Sequence, residues 1–451
     1  MLTGMKPTHT EYVSIETQTA ERRARRTIVV TTAFASILAL ASCATAPAPA
    51  TNPGPTTTSN QDPKNDADTA KDGSPQTTES RTAQPRLAVT YDGGVLVLGA
   101  TDGKVVSDFR IDGFNRVNPA GDGRHVLVST AGGFQVLDTG SWSEVHGDHF
   151  HHFVSNPTLK EQKFPAQQPG HAVHHGGQTV LFDDATGNVS IFDPRALSKE
   201  TLPKTKDHKT PQAHHGVAVS LENGRLLVTE GNSESRSGIA LLGEAKTDGS
   251  RSTIATSTDC PGVHGEAAAR DEAIVVGCED GLLVVKNGKI TKVSSPDAYG
   301  RIGNQSGNEN SSVVLGDYKM DKDAELERPT TFSLTDTATN ELRLVDTDFS
   351  YSFRSLGRNK SGGALVLGTD GKLHIYDPST GKEKSVIKVV DEWEEPLDWQ
   401  EPRPTLLVQG ETAFVTNPAT KELHTVDLKK GKVIQSIVLP EIPNELAIAS
   451  S

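Results

Sequence analysis

A short unit of strands and turns recurs along this chain, and it limits the possible fold more than any other feature. Its clearest copy has alternating residues at 364–368, a Thr-Asp-Gly turn, alternating residues at 372–377 and a Pro-Ser-Thr-Gly turn before a third strand. The same order begins again near Thr179 and Thr412. Short strands separated by Gly, Asp and Asn turns, repeating every forty-odd residues, predict an all-β fold of the β-propeller type.

The number of units predicts the number of blades. Residues 86–451 hold eight units of about 46 residues each, which begin near Leu87, Phe114, Gly170, His215, Val263, Arg301, Phe353 and Pro404. The first unit lacks its innermost strand, and the C-terminal segment Asn444–Ala449 is predicted to supply that strand and close the ring. Seven blades is the alternative, because the charged insertion Lys319–Arg328 interrupts the sixth unit.

The N-terminal region has the sequence pattern of an export signal followed by a linker. Four arginines between positions 22 and 26 precede the apolar run Thr27–Ala41, and Leu40-Ala41-Ser42-Cys43 follows the pattern of a bacterial lipoprotein signal. We therefore expect cleavage and acylation at Cys43, with an ordinary secretory signal, by either the general or the twin-arginine route, as the alternative. Residues 44–85 are rich in Pro, Thr, Ser and Asp and predict a disordered tether. The sequence thus predicts an extracytoplasmic protein that a lipid anchor holds at the cell membrane.

Charge and cysteine count narrow the possible functions further. The formal net charge of −13 argues against a nucleic-acid-binding protein, which needs a basic surface. Apart from Cys43, only Cys260 and Cys278 remain, and export to an oxidising compartment predicts a disulfide between them. The alternative is that one of the two thiolates binds a metal.

Histidine is strongly concentrated in one part of the chain. Of 15 histidines, ten lie between Val145 and Gly216, at positions 146, 149, 151, 152, 171, 174, 175, 208, 214 and 215. A propeller core gives no packing reason for this clustering, and neutral imidazole is a preferred ligand of Zn, Cu, Ni and Fe. The cluster therefore predicts a transition-metal site.

Position within the repeat selects the candidate ligands. His171, His215 and His264 each lie 10 to 12 residues before the second strand of their own unit, so they occupy equivalent places on three successive blades. We expect them to converge at one mouth of the central channel. We expect the connection Phe153–Gly170 to be irregular, so that the preceding segment folds over the same mouth as a flap and adds His149 and His151.

The remaining candidates are neighbours of these residues. His174 follows His171 on the same predicted strand and is a sixth candidate ligand. The other histidines and carboxylates nearby are alternative ligands or groups that orient the imidazole rings, namely His146, Asp148, His175, His214 and Glu266.

Four motifs in order resemble the exported zinc metallochaperones called AztD. They are His146-Gly147-Asp148-His149-Phe150-His151, His171-Ala172-Val173-His174-His175-Gly176-Gly177, His214-His215-Gly216-Val217-Ala218-Val219, and Cys260-Pro261-Gly262-Val263-His264-Gly265-Glu266 with Gly277-Cys278-Glu279-Asp280-Gly281. The resemblance implies a non-enzymatic, monomeric protein that binds Zn²⁺ and transfers it to the solute-binding protein of a zinc ABC transporter.

Two other functions compete with this interpretation. A metal-dependent propeller hydrolase or lactonase would use the same histidines with Glu266 or Asp280 as general base. A protein-interaction scaffold would leave the histidine cluster without a role.

Overall fold

The computed structural model describes residues 77–450, and this part of the chain is almost entirely β-structure. Its helical segments are two short 3-10 helices, Pro194–Ser198 and Arg270–Glu272. No helix among the described residues is long and apolar enough to cross a membrane. The 36 strands of residues 77–450, numbered in chain order, form nine sheets.

Eight of these sheets contain a four-stranded antiparallel unit, to which one of them adds a short fifth strand, and this is the pattern expected of a propeller. In pairing order the first four are β36 (Leu446–Ala449), β2 (Arg86–Tyr91), β3 (Gly94–Gly99), β4 (Val105–Arg110); β5 (Arg116–Pro119), β6 (His125–Thr130), β7 (Gly133–Asp138), β10 (Thr158–Pro165); β11 (Pro169–His175), β12 (Gln178–Asp183), β13 (Asn188–Phe192), β14 (Lys206–Lys209); and β15 (Ala218–Ser220), β16 (Leu226–Gly231), β17 (Arg236–Leu242), β18 (Thr253–Ser257). The other four are β19 (His264–Ala269), β20 (Ala273–Cys278), β21 (Asp280–Lys286), β22 (Lys289–Ser294); β24 (Gln305–Ser306), β25 (Val313–Tyr318), β26 (Thr331–Asp336), β27 (Glu341–Asp346); β28 (Tyr351–Arg358), β29 (Ala364–Gly368), β30 (Lys372–Tyr376), β31 (Glu383–Lys388); and β32 (Leu406–Gln409), β33 (Thr412–Asn417), β34 (Glu422–Asp427), β35 (Lys432–Val438). A short strand, β23 (Gly300–Arg301), pairs in parallel with β21.

Burial follows the order of the strands within each sheet. Second strands such as β6, β20 and β29 are buried along their whole length, whereas fourth strands such as β4 and β31 are largely exposed. Apolar clusters lie between consecutive sheets, where both faces of the second and third strands are covered. The core is therefore divided among the gaps between neighbouring sheets, and residues at the starts and ends of the first strands are left to line cavities.

The C-terminal strand completes the sheet of the first repeat. The C-terminal strand β36 pairs with β2, with Arg86 opposite Ala449 and Val89 opposite Leu446. This is the pairing that the incomplete first repeat predicts. The insertion 319–328 lies between β25 and β26 without breaking their pairing, since Tyr318 still lies opposite Thr331.

The region before His171 differs from the prediction. The segment expected to be a flap is a regular hairpin of β8 (Ser141–His146) and β9 (His149–Val154), and β1 (Thr78–Ser80) adds a third strand. Residues 158–165, expected to be irregular, form β10, the fourth strand of the second sheet. The predicted disorder of residues 44–85 is wrong for β1, because a partner strand in the hairpin satisfies its backbone hydrogen bonds. Residues 1–76, with the predicted signal and Cys43, lie outside the described part.

Candidate metal centre

Three histidines from three consecutive sheets converge. His171 lies in β11, His215 precedes β15 and His264 begins β19, and one ligating nitrogen of each lies within 4.8 Å of the other two. Their ring centroids are 5.1 to 5.7 Å apart. We call this group the channel triad. The matched repeat positions thus bring the three side chains together as expected, and the group is compact enough to hold one metal ion.

Hydrogen bonds fix which nitrogen of two of the rings is free. His215 Nδ1 donates to Asp184 Oδ2 at 2.5 Å, and His264 Nδ1 donates to the Gly303 carbonyl at 2.7 Å. Because a carboxylate and a carbonyl only accept, both Nδ1 atoms carry a proton, and in the neutral ring Nε2 is then the nitrogen with the free lone pair. This arrangement, in which an outer group orients a ligating imidazole, is typical of zinc sites.

The carbonyl that holds His264 is itself fixed from the next sheet. Asp317, at the end of β25, accepts hydrogen bonds from Gly303 N at 2.6 Å, from Asn304 N at 2.9 Å and from Asn304 Nδ2 at 3.2 Å. Its side chain is buried. Sequence reasoning missed Asp317, since nothing in its local sequence distinguishes it from the aspartates that end other strands.

Two histidines of the channel triad lie beside β-bulges. The pairing of β11 with β12 shifts between Pro169 and Ala172, and that of β19 with β20 shifts between His264 and Glu266. Bulges commonly redirect a side chain beside a functional site. In β19 the extra residue is Gly265, with φ 71°, where a Cβ would lie 2.6 Å from the Gly303 oxygen. Only glycine fits there without displacing the acceptor of His264.

The local electrostatics favour a neutral His264 ring. Burial lowers the pKa of His264 well below 6.5, and the nearby rings of His171 and His215 lower it further. Neutral imidazole is the form that binds a metal. Glu266 Oε2 lies 3.6 Å from His171 Nδ1, beyond a normal hydrogen bond but within reach of a small rotation.

A second group lies on the β8–β9 hairpin. It consists of three histidines with one ligating nitrogen each within 4.8 Å of the others, namely His146, His149 and His151. They are close because His146 lies opposite His149 across the hairpin, and His151 lies on the same face of β9 as His149. His151 Nδ1 donates to Glu79 Oε1 of β1 at 2.6 Å, and the Nε2 atoms of His149 and His151 are 3.1 Å apart. We call this group the hairpin triad. Unlike the channel triad it is largely exposed to solvent.

Two cavities mark the opposite ends of the first strands of neighbouring sheets. A cavity of about 360 Å³ is lined by residues at or near the starts of these strands, including Arg116, His171, His215 and His264. A second cavity, of about 620 Å³, is lined by residues at or near the ends of the same strands, including Pro119, His175, Val219 and Ser306. The first strands therefore run in the same direction, and the channel triad lies at their starts.

The hairpin leaves its sheet at the other end. Strand β7 runs parallel to β5, since both are antiparallel to β6, and its last residue Asp138 lies opposite His125, next to the level of Pro119. The hairpin follows Asp138 and so emerges on the side where the first strands end. The expectation that this segment covers the channel triad is wrong, because an insertion after a third strand emerges on the face opposite the start of a first strand.

The other predicted residues lie outside both triads. His174 packs against Gly121, with Nδ1 3.4 Å from Thr179 Oγ1, and burial lowers its pKa. His175 Nε2 is 4.0 Å from Glu272. Among residues 77–450, then, neither His174 nor His175 belongs to a group that can hold a metal.

His214 and Asp148 have simpler surroundings. Both ring nitrogens of the buried His214 are used: Nδ1 donates to the Gln212 carbonyl, and Nε2 lies 3.0 Å from Thr229 Oγ1. It supports the loop before β15 and has no free nitrogen for a metal. Asp148 is exposed at the hairpin tip, 3.2 Å from His149 Nδ1.

The two cysteines are joined. Cys260 and Cys278 form a disulfide across a separation of 18 residues, and both are fully buried. The bond links the loop that leads to His264 with the end of β20. The predicted disulfide is confirmed in the structure, and a thiolate metal ligand at either position is excluded.

Comparisons with known proteins agree with the chemistry of these residues. The zinc chaperone AztD of Citrobacter koseri is 25% identical over 369 residues, which are 79% of this chain and 84% of AztD. This chain is similar to AztD. A crystal structure of AztD from that organism superimposes with a TM-score of 0.70 at 22% identity, covering 81% of this chain and 98% of AztD. The apo AztD structure gives 0.68 at 21% identity with the same coverage, and no family model matches the sequence.

The donor set fits zinc. Neutral imidazoles are ordinary zinc ligands, and three of them leave the fourth tetrahedral position open. An open position permits a ligand from outside to approach before a histidine leaves. The geometry of the channel triad is therefore compatible with both binding and exchange.

Proposed function

We propose that this protein is a zinc metallochaperone of the AztD type, which binds Zn²⁺ and delivers it to the solute-binding protein of a zinc ABC transporter. The observation that carries the proposal is the channel triad, with two of its three rings held so that Nε2 is free. The similarity to AztD supports the same metal. Zinc is then the cargo, and the protein is a monomeric carrier rather than an enzyme.

The eight four-stranded sheets are the blades of one propeller in this proposal. Strand β36 closes the ring by completing the first blade, which removes the exposed edge that β2 would otherwise present. A closed ring keeps the channel triad rigid, because each of its histidines is fixed by a different blade. Rigidity favours tight binding of zinc.

The hairpin triad is a second zinc site with a different task. It is exposed, and Glu79 orients His151 as Asp184 orients His215. Because it lies on the opposite face from the channel triad, it does not complete the coordination of the same ion. Its exposure makes it the site from which a partner takes zinc, or to which free zinc binds, most rapidly.

Cys43 anchors the protein to the membrane in this proposal, and the segment after it is the tether. Holding a carrier beside its transporter raises the effective concentration of the acceptor. Mass spectrometry of the mature protein tests the anchor: a diacylglyceryl group on an N-terminal Cys43 is expected, and an unmodified N-terminus elsewhere contradicts it.

A transfer assay tests the function. Zinc-loaded protein is mixed with the zinc-free solute-binding protein and excess chelator, and the rate is followed as the acceptor concentration rises. Direct transfer predicts a rate that increases with the acceptor. A rate that equals spontaneous zinc dissociation at every acceptor concentration would show a zinc store instead.

Three variants separate the two sites. Replacing the channel triad with alanine is expected to remove the tight zinc site, and His149→Ala with His151→Ala to remove the exposed one and slow transfer. His208→Ala, on the outer strand β14, is the matched control and leaves both sites intact. Full zinc content in the folded channel variant would place the tight site elsewhere.

A further inference from the structure

The cavity beside the channel triad has a cationic wall. Its volume is about 360 Å³, and besides the three histidines it is lined by Arg116, Arg301 and Lys319. Cations repel a divalent metal, so this lining is unexpected beside a zinc site. The carboxylates Asp184 and Glu266 lie toward the histidines, and each is within reach of a ring nitrogen.

Arg301 and Lys319 are held side by side. Their backbones form an antiparallel bridge with hydrogen bonds in both directions, from Arg301 N to Lys319 O and from Lys319 N to Arg301 O. Like charges directly opposite each other on neighbouring strands destabilise the pair. The arrangement gains stability when an anion lies between them.

The carboxylates nearby do not neutralise this wall. Asp317 lines the cavity, but its oxygens face the three N–H donors of Gly303 and Asn304, and among residues 77–450 it forms no ion pair within 4.0 Å with Arg301 or Lys319. Glu279 is 3.7 Å from Arg301 and is itself 43% exposed, so water screens that pair. Among residues 77–450, no carboxylate oxygen lies within 4.0 Å of the Lys319 ammonium, and Glu395, which interacts with Lys319 electrostatically, is paired with Arg403 at 2.7 Å.

Arg116 is only partly neutralised. Its Nε lies 3.0 Å from Glu445 Oε1, and the same oxygen is 3.1 Å from the buried Arg354. One carboxylate is thus shared by two guanidinium groups. The cavity lining therefore carries three cationic side chains, of which Arg301 and Lys319 have no close, buried carboxylate partner among the described residues.

We propose that this cavity binds a small carboxylate anion, held by Arg301 and Lys319, which occupies the open fourth position of the zinc in the channel triad. The inference rests on the proposed function for its zinc. A carboxylate fits both partners, because the arginine fork matches its two oxygens and zinc accepts carboxylate oxygen as a ligand. Phe353 and the half-exposed Trp399 add apolar walls for a short carbon chain.

Succinate is the probe, with succinamide as its uncharged analogue. Calorimetric titration of the full mature protein is expected to show succinate binding about 10-fold more tightly to the zinc-loaded than to the zinc-free form, since the metal adds an attractive charge. Succinamide is expected not to bind. Failure of the zinc-loaded protein to bind succinate, or equal binding of inorganic phosphate, would overturn the proposal.

Lys319→Gln tests the cationic wall. It is expected to weaken succinate binding about 10-fold, whereas Lys322→Gln, at an exposed lysine of the same insertion, leaves binding unchanged. Equal affinities in the two variants would contradict the assigned site. Matching thermal midpoints confirm that both variants are folded.

Cobalt substitution tests contact with the metal. Succinate is expected to shift the visible d–d bands of the Co²⁺ protein, and binding without a shift would refute coordination. If the channel triad binds no metal at all, the proposed function fails. Titration of zinc-free protein with succinate, in wild type and in Lys319→Gln, still decides whether the cavity is an anion site.

Discussion

Two neighbouring aspartates at the end of β12 provide a sharp test of the channel triad. Asp183 and Asp184 are similarly buried, at 6% and 8% exposure. Asp184 accepts a hydrogen bond from Nδ1–H of His215, whereas Asp183 has no histidine partner among the described residues. Replacing each by asparagine preserves its shape and removes its charge, so the two variants separate a role in metal binding from a role in folding.

Asp184→Asn is expected to weaken zinc binding. Loss of an outer carboxylate that orients a ligating histidine typically costs 10- to 100-fold in metal affinity, or about 1.4 to 2.7 kcal/mol. The structure favours the upper half of that range, because the hydrogen bond is short, at 2.5 Å, and the carboxylate is buried. Competition with a chelator of known affinity measures the change directly.

Asp183→Asn is expected to destabilise the fold and leave zinc affinity unchanged. Its two oxygens accept hydrogen bonds from the amides of Gln167, Gln168 and Ala185 and from the Thr186 hydroxyl. In the asparagine variant an NH₂ group replaces one of these oxygens and cannot accept hydrogen bonds from the donors that face it. Each hydrogen bond lost at a buried group lowers the free energy of unfolding by about 1–3 kcal/mol. Denaturant unfolding of zinc-free protein measures this loss. If both variants lose zinc affinity equally, the effect is general loosening and the orienting role of Asp184 is refuted.

Three further outcomes follow from other parts of the structure. Burial lowers the pKa of His125, but the hydrogen bond to Asp122 and the Asp138 carboxylate 3.6 Å away raise it above 6.5 overall. The stabilisation of wild type relative to His125→Gln is therefore full below pH 6.5 and declines as pH rises through the raised pKa, and unfolding of both proteins at several pH values checks this. Serine at both Cys260 and Cys278 should cost about 3 kcal/mol of unfolding free energy for a loop of this length, whereas an unchanged denaturation midpoint would show that packing replaces the bond. Zinc affinity of the channel triad should fall at acidic pH, because protons compete with the metal for the imidazoles. Equal affinity at pH 7.5 and 5.5, in competition titrations, would indicate carboxylate ligands instead.

The sequence by itself determined the architecture of the sheets and the composition of the channel triad. Regular spacing of turns and alternating residues specifies short antiparallel strands, since the side-chain period of a strand is local. The same spacing places His171, His215 and His264 at equivalent points of three repeats. Equivalent points of neighbouring repeats are close in space, so a count along the chain was enough to find them.

The positions of the other histidines required the tertiary structure. The bulge in β11 shifts the alternation between His171 and His174, so the side on which His174 lies does not follow from counting. The orientation of His151 in the hairpin triad depends on β1, which pairs with β9 from more than 70 residues earlier and brings Glu79 to His151. A sequence pattern has no means of showing that contact.

The chemical state of the channel triad also depends on the tertiary structure. The neutral His264 ring has a free Nε2 because its Nδ1–H donates a hydrogen bond to the Gly303 carbonyl, and Gly303 is held in place by Asp317. These three residues come from separate segments, and their contact depends on how one sheet packs against the next. Local sequence determines where a strand begins and ends, whereas the choice of free nitrogen is made by hydrogen bonds between residues that meet only after the sheets have assembled.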